Sequence, residues 1–284
     1  MVLDAAVRAK IEAWQDHESE PDLIFELDRL QDEEGLYDAF YRDLSFGTAG
    51  IRGIMGVGTN RMNVHVVAQA MQGIADWIGS SNEGKADSGT VLSVVLCRDS
   101  RINSERFERT CAETFAANGI HVWLYPRIEP VPTVSFAVPC LGVTAGVMVT
   151  SSHNPKQYNG CKIFAHDGCQ IAGELADEIS ASIAEVDLSE GPAKVPFDQG
   201  LSDGRVSWIS DEVLEDFLSE LATLRMEGVI SSQHAPKVVY TPLNGAGLEL
   251  MERALRQKGV TDIEVVSAQA APDENFPTCP RPNP

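Results

Sequence analysis

Apolar positions along this chain change period several times, and each change marks a new element. Residues 1–44 are acidic and helix-like, with Leu23, Phe25, Leu27 and Leu30 set among charges. Phe46-Gly-Thr-Ala-Gly-Ile-Arg-Gly53 breaks that pattern with three glycines. Val64, Val67, Ala68, Met71, Ala75 and Ile78 then recur at helical spacing. Asn82-Glu-Gly-Lys-Ala-Asp-Ser-Gly89 has the composition of a surface loop. Val91-Leu-Ser-Val-Val-Leu96 reads as a strand running into Cys97-Arg-Asp-Ser-Arg101. A helix is expected to open near Asn103 or Ser104 and to close at Asn118-Gly119. Val122-Trp-Leu-Tyr125 is a second strand, and Ser135 to Val138 opens a helix that ends near Gly142. The apolar run through Val147 and Val149 is a third strand. Strands alternating with helices predict a layered α/β domain.

Residues 187–208 are rich in Gly, Pro, Ser and Asp and read as a linker. Beyond it, Ser210 is placed to cap a helix whose apolar face is Leu214, Phe217, Leu218, Leu221 and Leu224. Lys237-Val-Val-Tyr240 is a strand, Thr241 to Gly247 a turn, and a further helix runs to Gly259 before the strand Ile263-Glu-Val-Val266. The expected division is therefore residues 1–205 and residues 206–284. Two strands and two helices are few for a free-standing second α/β domain. That unit is expected to present an unpaired edge and apolar surface, and so to favour self-association.

Composition narrows the classes. The chain has 284 residues, 43% of them hydrophobic and 23% charged, as in soluble globular proteins. Its apolar runs are too short to span a bilayer, and its first residues lack the pattern of a secretory signal. Cys97, Cys111, Cys140, Cys161, Cys169 and Cys279 are scattered without metal-binding spacing, which fits reduced thiols in the cytoplasm. A formal charge of −20 argues against nucleic acid and anionic membranes as partners. An anionic ligand would need cations gathered locally. Arg52, Arg61, Arg98, Arg101, Lys156 and Lys162 all lie near Gly-, Ser- or Asn-rich turns.

The densest chemistry lies between Val147 and Lys162. A buried strand there runs into Thr150-Ser-Ser-His-Asn-Pro155, which would place Ser151 and Ser152 at its carboxyl end. Open α/β sheets bind ligands at such ends. A hydrolytic triad is disfavoured, because His153 directly follows Ser152, neighbouring side chains rarely face each other, and no GxSxG elbow is present. Asn154-Pro155 suits a tight turn. Asn159-Gly160 is a hairpin signal that would return Lys162 towards the serine, where a lysine can stabilise phosphoryl oxygens or move a proton. The glycines of Gly53-Ile-Met-Gly-Val-Gly-Thr59 lack a P-loop ending but permit close approach of an anion beside Arg52.

Three segments together, Phe46 to Gly53, Arg98-Asp-Ser-Arg101 and Thr150 to Gly160, resemble the α-D-phosphohexomutase superfamily. Gly58-Thr-Asn-Arg-Met-Asn63 is similar to its phosphoglucomutase/phosphopentomutase branch. The likeness is colinear from about residue 10 to the last residue. It implies a three-layer α/β/α first domain with a mixed sheet, and an incomplete second domain of related plan. It implies that Ser152 is phosphorylated and exchanges that group with a sugar phosphate through a bisphosphate intermediate. Arg52 and Lys162 would contact the phosphoryl group and assist proton transfer, with His153 and Asn154 lining the site. Arg61, Arg101 and Lys156 are further candidates for holding phosphate.

Three departures accompany the resemblance. Ser151 stands where alanine is usual, and Asn244 where histidine is common. The Asp-x-Asp-x-Asp-Arg loop, which would hold Mg2+ together with the phosphate on Ser152, occurs nowhere in the chain. The chain is accordingly expected to be truncated before that loop, not to hold Mg2+ tightly, and to have little mutase activity alone. A non-enzymatic phosphosugar-binding or regulatory module is the alternative, and completion by a second polypeptide a third reading.

Overall fold

The computed structural model describes residues 3–30, 32–47, 50–81, 91–187, 191–224 and 235–282. The loop expected at Asn82–Gly89, and Thr48 and Ala49 of the first glycine-rich segment, lie outside the described residues. The acidic N-terminal region forms α1 (Ala5–His17), α2 (Pro21–Arg29) and α3 (Glu33–Phe40). Asp4 and Asp32 cap the first and third of these by accepting from the amides of Val7 and Gly35. Then follow β1 (Phe46–Gly47), β2 (Gly50–Ile54), α4 (Val64–Ser81), β3 (Ser93–Arg98), α5 (Ser104–Ala117), β4 (His121–Leu124), α6 (Val131–Leu141), β5 (Ala145–Val149), β6 (Tyr158–Phe164) and α7 (Glu174–Ala184). Gly119 and Gly142, both with positive φ, stop α5 and α6 where the sequence places their ends.

The remaining elements are α8 (Phe197–Ser202), β7 (Val206–Trp208), α9 (Glu212–Thr223), β8 (Val238–Tyr240), α10 (Leu248–Gln257), β9 (Ile263–Val265) and α11 (Ser267–Ala270). The stretch expected as a linker, 187–208, thus contains a helix and a strand. Strand β7 pairs in parallel with β4, through Val206 opposite Val122 and Trp208 opposite Leu124. The first sheet therefore continues three residues beyond the expected boundary at 205.

The sheet order is β1-β2-β6-β5-β3-β4-β7. Strands β3, β4, β5 and β7 pair in parallel, whereas β6, β2 and β1 are antiparallel to their neighbours. The sheet is mixed, and each face has its own apolar cluster. Val94, Leu96, Val147, Val149, Cys161 and Ile163 point to the side covered by α4, α5 and α7. Val95, Cys97 and Met148 point to the other side, covered by α6 and α9. Helix α9 follows the expected division, yet its Val213, Leu214 and Leu218 bury against the first sheet's cluster. Phe217 meets Phe136 of α6 edge-on at 5.3 Å.

Strands β8 and β9 form a separate parallel pair, and Val239 is 67% exposed on it. All six cysteines are free. Among the described residues no helix is long and apolar enough to cross a membrane.

Helices α4 and α7 cross closely at Gly73, whose carbonyl accepts from the Ser182 hydroxyl at 2.8 Å. A Cβ there would lie 2.5 Å from the Ile183 Cα, which is backbone and cannot rotate away. Gly73→Ala gains helix propensity but forces the helices apart. We expect a net loss of about 1–3 kcal/mol, read as a lower urea midpoint with an unchanged m-value.

Candidate active site

The site begins with strand register. Cys97 lies opposite Met148 and Arg98 opposite Val149, so Asp99 and Thr150 leave the parallel pair β3–β5 side by side at its carboxyl end. The Asp99 amide donates to the Val149 carbonyl at 3.1 Å. Thr150 shares a sheet face with Met148, since side chains alternate along a strand. Its hydroxyl donates to Asp99 Oδ2 at 2.6 Å and accepts from the Ser152 amide at 2.9 Å. The Arg101 amide and the Ser104 hydroxyl donate to Asp99 Oδ1 at 3.0 and 2.9 Å. Burial pushes the Asp99 carboxyl up, while these donors and the Arg101 charge pull it back.

The two adjacent serines differ completely. Ser151 is 1% exposed, and its hydroxyl accepts from the Asn154 side-chain amide at 3.0 Å. Ser152 is exposed, with φ at 56°. That left-handed backbone costs about 1 kcal/mol or more in a residue with a Cβ, and it persists only when neighbouring groups impose it. Here both flanks are held. The Ser152 amide is tied to Thr150, and its carbonyl accepts from Arg101 Nη2 at 2.7 Å. The same turn brings the Ser152 hydroxyl 3.1 Å from His153 Nδ1. The expectation that these neighbours would not face each other is therefore corrected. It holds for extended backbone and fails at a left-handed residue.

Arg101 is also corrected. Expected to hold phosphate, it is 3% exposed and faces the loop from beneath. Nη1 donates to the carbonyls of Pro155 and Tyr158, both at 3.1 Å. Nη2 donates to those of Ser152 and Asn154, both at 2.7 Å. These four bonds commit both terminal nitrogens to the loop, and only Nε is left without a hydrogen-bond partner. Nε lies 3.4 Å from Asp99 Oδ2. The Phe276 ring covers the guanidinium at 5.3 Å.

Strand β6 is antiparallel to both β5 and β2. Met148 is opposite Lys162 and Arg52 opposite Gly160, so Lys162 and Arg52 share the face that carries Thr150. The hairpin does return Lys162, but its turn lies between Val149 and Tyr158 and not at Asn159-Gly160. Those two residues are inside β6 for other reasons. The Asn159 side-chain amide donates to the Ile102 carbonyl at 2.8 Å. At Gly160 a Cβ would meet the Ile51 carbonyl oxygen at 2.4 Å and the Arg52 Cα at 3.1 Å. Burial lowers the Lys162 pKa first, the Arg52 charge lowers it further, and Asp99 opposes both.

Not every expected cation joins this group. Arg61 is bound to the Asp38 carboxylate and to the carbonyls of Asp38 and Asn60. Arg98 pairs with Glu108 at 3.0 Å, on the opposite sheet face from Asp99. Lys156 Nζ donates to Asn275 Oδ1 at 3.1 Å. Asn154 serves the turn through its bonds to Ser151.

Beside Ser152 and His153 opens a cleft of about 450 Å³ that also reaches Asp99, Glu129, Leu243 and Phe276. Arg52 and Lys162 do not line it. Glu129 was not singled out from the sequence. Burial pushes its carboxyl up to about 7 against the pull of Arg127, and Glu249 adds to the rise. Its only signal is a carboxylate placed between Ile128 and Pro130. Among the described residues no three His, Cys, Asp or Glu side chains converge to hold a metal ion. The described residues therefore do not supply a Mg2+ site.

Two family models match the chain. Phosphoglucomutase/phosphomannomutase, alpha/beta/alpha domain I, covers residues 43–190, and domain II of the same family covers residues 215–284. A phosphoglucomutase of Staphylococcus saprophyticus is 34% identical over 92% of this chain and 46% of its own length. A phosphopentomutase of Pongo abelii is 34% identical over 89% of this chain and 41% of its own. The chain thus spans about half the length of the curated relatives it matches. A protein solved from Thermus thermophilus as a candidate phosphomannomutase superposes with a TM-score of 0.65 at 24% identity. That superposition covers 83% of this chain and 48% of the other.

The Arg52 charge is one cause that holds Lys162 below the ordinary lysine pKa. Removing it in Arg52→Met should raise that pKa, so that deprotonation shifts to higher pH. NMR titration of methyl-labelled lysines reads this directly. A Lys162 resonance that titrates at the same pH in both proteins would show that the two cations do not interact.

Proposed function

Because the chain belongs to the phosphoglucomutase/phosphomannomutase family, we propose that it carries the phosphoserine half of a phosphosugar mutase, with Ser152 as the carrier. One observation supports this most. Of the two adjacent hydroxyls, Ser152 is the exposed one and the one beside an imidazole, while Ser151 is buried and bonded to Asn154.

In the proposed reaction, Ser152 Oγ attacks a phosphorus of a sugar bisphosphate. The Ser152 O–P bond forms as the sugar O–P bond breaks. The serine proton passes to His153 Nδ1, and the departing sugar oxygen takes one from the Lys162 ammonium. In the return transfer the phosphate on Ser152 passes to the free hydroxyl of a sugar monophosphate and both protons run backwards; the bisphosphate so formed then turns end for end, and Ser152 takes its other phosphoryl group. Such chemistry relies on positioning and charge stabilisation more than on covalent assistance. Arg52, on the Lys162 face, would meet phosphoryl oxygens. The lowered Lys162 pKa makes that ammonium a readier proton donor. The sugar 1-phosphate and the 6- or 5-phosphate are the proposed substrate pair. Membership of the family suggests Mg2+ as a cofactor, for which the described residues show no site.

Intact-mass measurement after incubation with glucose 1,6-bisphosphate tests the assignment. One phosphoryl group should be gained by the wild type and by Ser151→Ala, and none by Ser152→Ala. Retention of the label in Ser152→Ala, mapped to Ser151, would reverse the choice of serine. Absence of any transfer to the wild type would favour a phosphosugar-binding module.

A further inference from the structure

Phe276 combines two features rarely found together. It is an aromatic residue with φ at 47°, and its side chain is 4% exposed. A left-handed backbone is unfavourable for a bulky residue, so its neighbours must impose it. They are visible. The Phe276 amide donates to the Asp273 carbonyl at 3.2 Å, and the Phe276 carbonyl accepts from the Cys279 amide at 3.0 Å. The Asn275 amide donates to the Asp273 carboxylate at 2.8 Å. The Asp273 amide donates to the Asn244 carbonyl at 3.0 Å. The turn thus built aims one ring at one target, the Arg101 guanidinium, 5.3 Å from its centroid. Two further contacts join the same surfaces. The Ser100 hydroxyl donates to the Asn244 carbonyl at 2.9 Å, and Lys156 reaches Asn275.

We propose that Phe276 is a positioning residue for Ser152, acting through Arg101. The ring keeps water from the guanidinium and attracts it as a cation, so the four carbonyls of the serine loop remain its best partners. One of those carbonyls belongs to Ser152. The orientation of the serine is therefore coupled to the seating of the segment 273–279 against the loop. When that segment lifts, water competes for Arg101, and the left-handed backbone at Ser152 loses one of its two restraints. The catalytic meaning of this coupling rests on Ser152 being the phosphoryl carrier, whereas the coupling itself does not.

Hydrogen exchange and phosphorylation together separate these claims. The amides of Ser152, Asn154 and Tyr158 are bonded within the loop and report its closure. In Phe276→Leu they should exchange roughly tenfold faster, as expected for loss of a desolvated cation–π contact, while β3 and β5 amides keep wild-type rates. Phe276→Tyr should restore loop protection, and the initial rate of Ser152 phosphorylation by glucose 1,6-bisphosphate should follow loop protection across the three proteins. Phe276→Met makes the same comparison if the leucine variant does not fold. Unchanged loop exchange, or an equal rise in the loop and in β3 and β5, would overturn the proposal. If the variants show the exchange pattern but the wild type takes up no phosphoryl group, the mutase reading fails and the coupling stands.

Discussion

The pair of half-buried Asp99 and buried Arg101 is the constraint on which the rest of this site depends. A carboxylate and a guanidinium removed from water are costly unless nearly every lone pair and proton finds a partner. Asp99 meets that condition with the Arg101 amide and the hydroxyls of Ser104 and Thr150. Arg101 meets it with four carbonyls of one loop. Few other arrangements of residues 151–158 would satisfy both groups. The pair therefore acts less as a source of stability than as a device that selects one loop conformation. In that conformation Ser151 is buried, Ser152 is exposed and His153 lies against the Ser152 hydroxyl.

The sheet is what makes such a pair possible. Asp99 and Thr150 become neighbours because β3 and β5 are parallel and in register, so both chains leave the sheet at the same edge. The antiparallel return of β6 then sets Lys162 and Arg52 on the Thr150 face, at a closeness that Gly160 permits. A chain of formal charge −20 thereby concentrates cations at one place. Arg52 is exposed, Lys162 is half-buried, and Arg101 is buried beneath the serine loop.

Much of this was legible from local signals. Asn118-Gly119 and Gly142 mark helix ends because a left-handed terminus needs a residue tolerant of positive φ, and both glycines have it. The Thr150 to Pro155 segment named the serine loop by its composition. Signals with non-local causes misled. Asn159-Gly160 is a turn dipeptide, but here it serves a distant carbonyl and a neighbouring strand. Strand β7 is three residues long, too short for a period, and is recognised only by its partner β4. Arg101 beside a phosphate-binding motif looks like a phosphate ligand, because sequence shows its charge and not its burial. Glu129 is similar, since its raised pKa arises from packing by elements remote in the chain.

The account therefore turns on whether Arg101 positions Ser152 or merely stabilises the fold. Arg101→Lys keeps the charge beside Asp99 and removes the fork that reaches four carbonyls. The decisive measurement is the initial rate of Ser152 phosphorylation by glucose 1,6-bisphosphate in this variant, with far-UV circular dichroism confirming the sheet. A fall on the order of a hundredfold with the fold intact is the predicted result, as for a nucleophile displaced from its attacking position. Phosphorylation at the wild-type rate would contradict it.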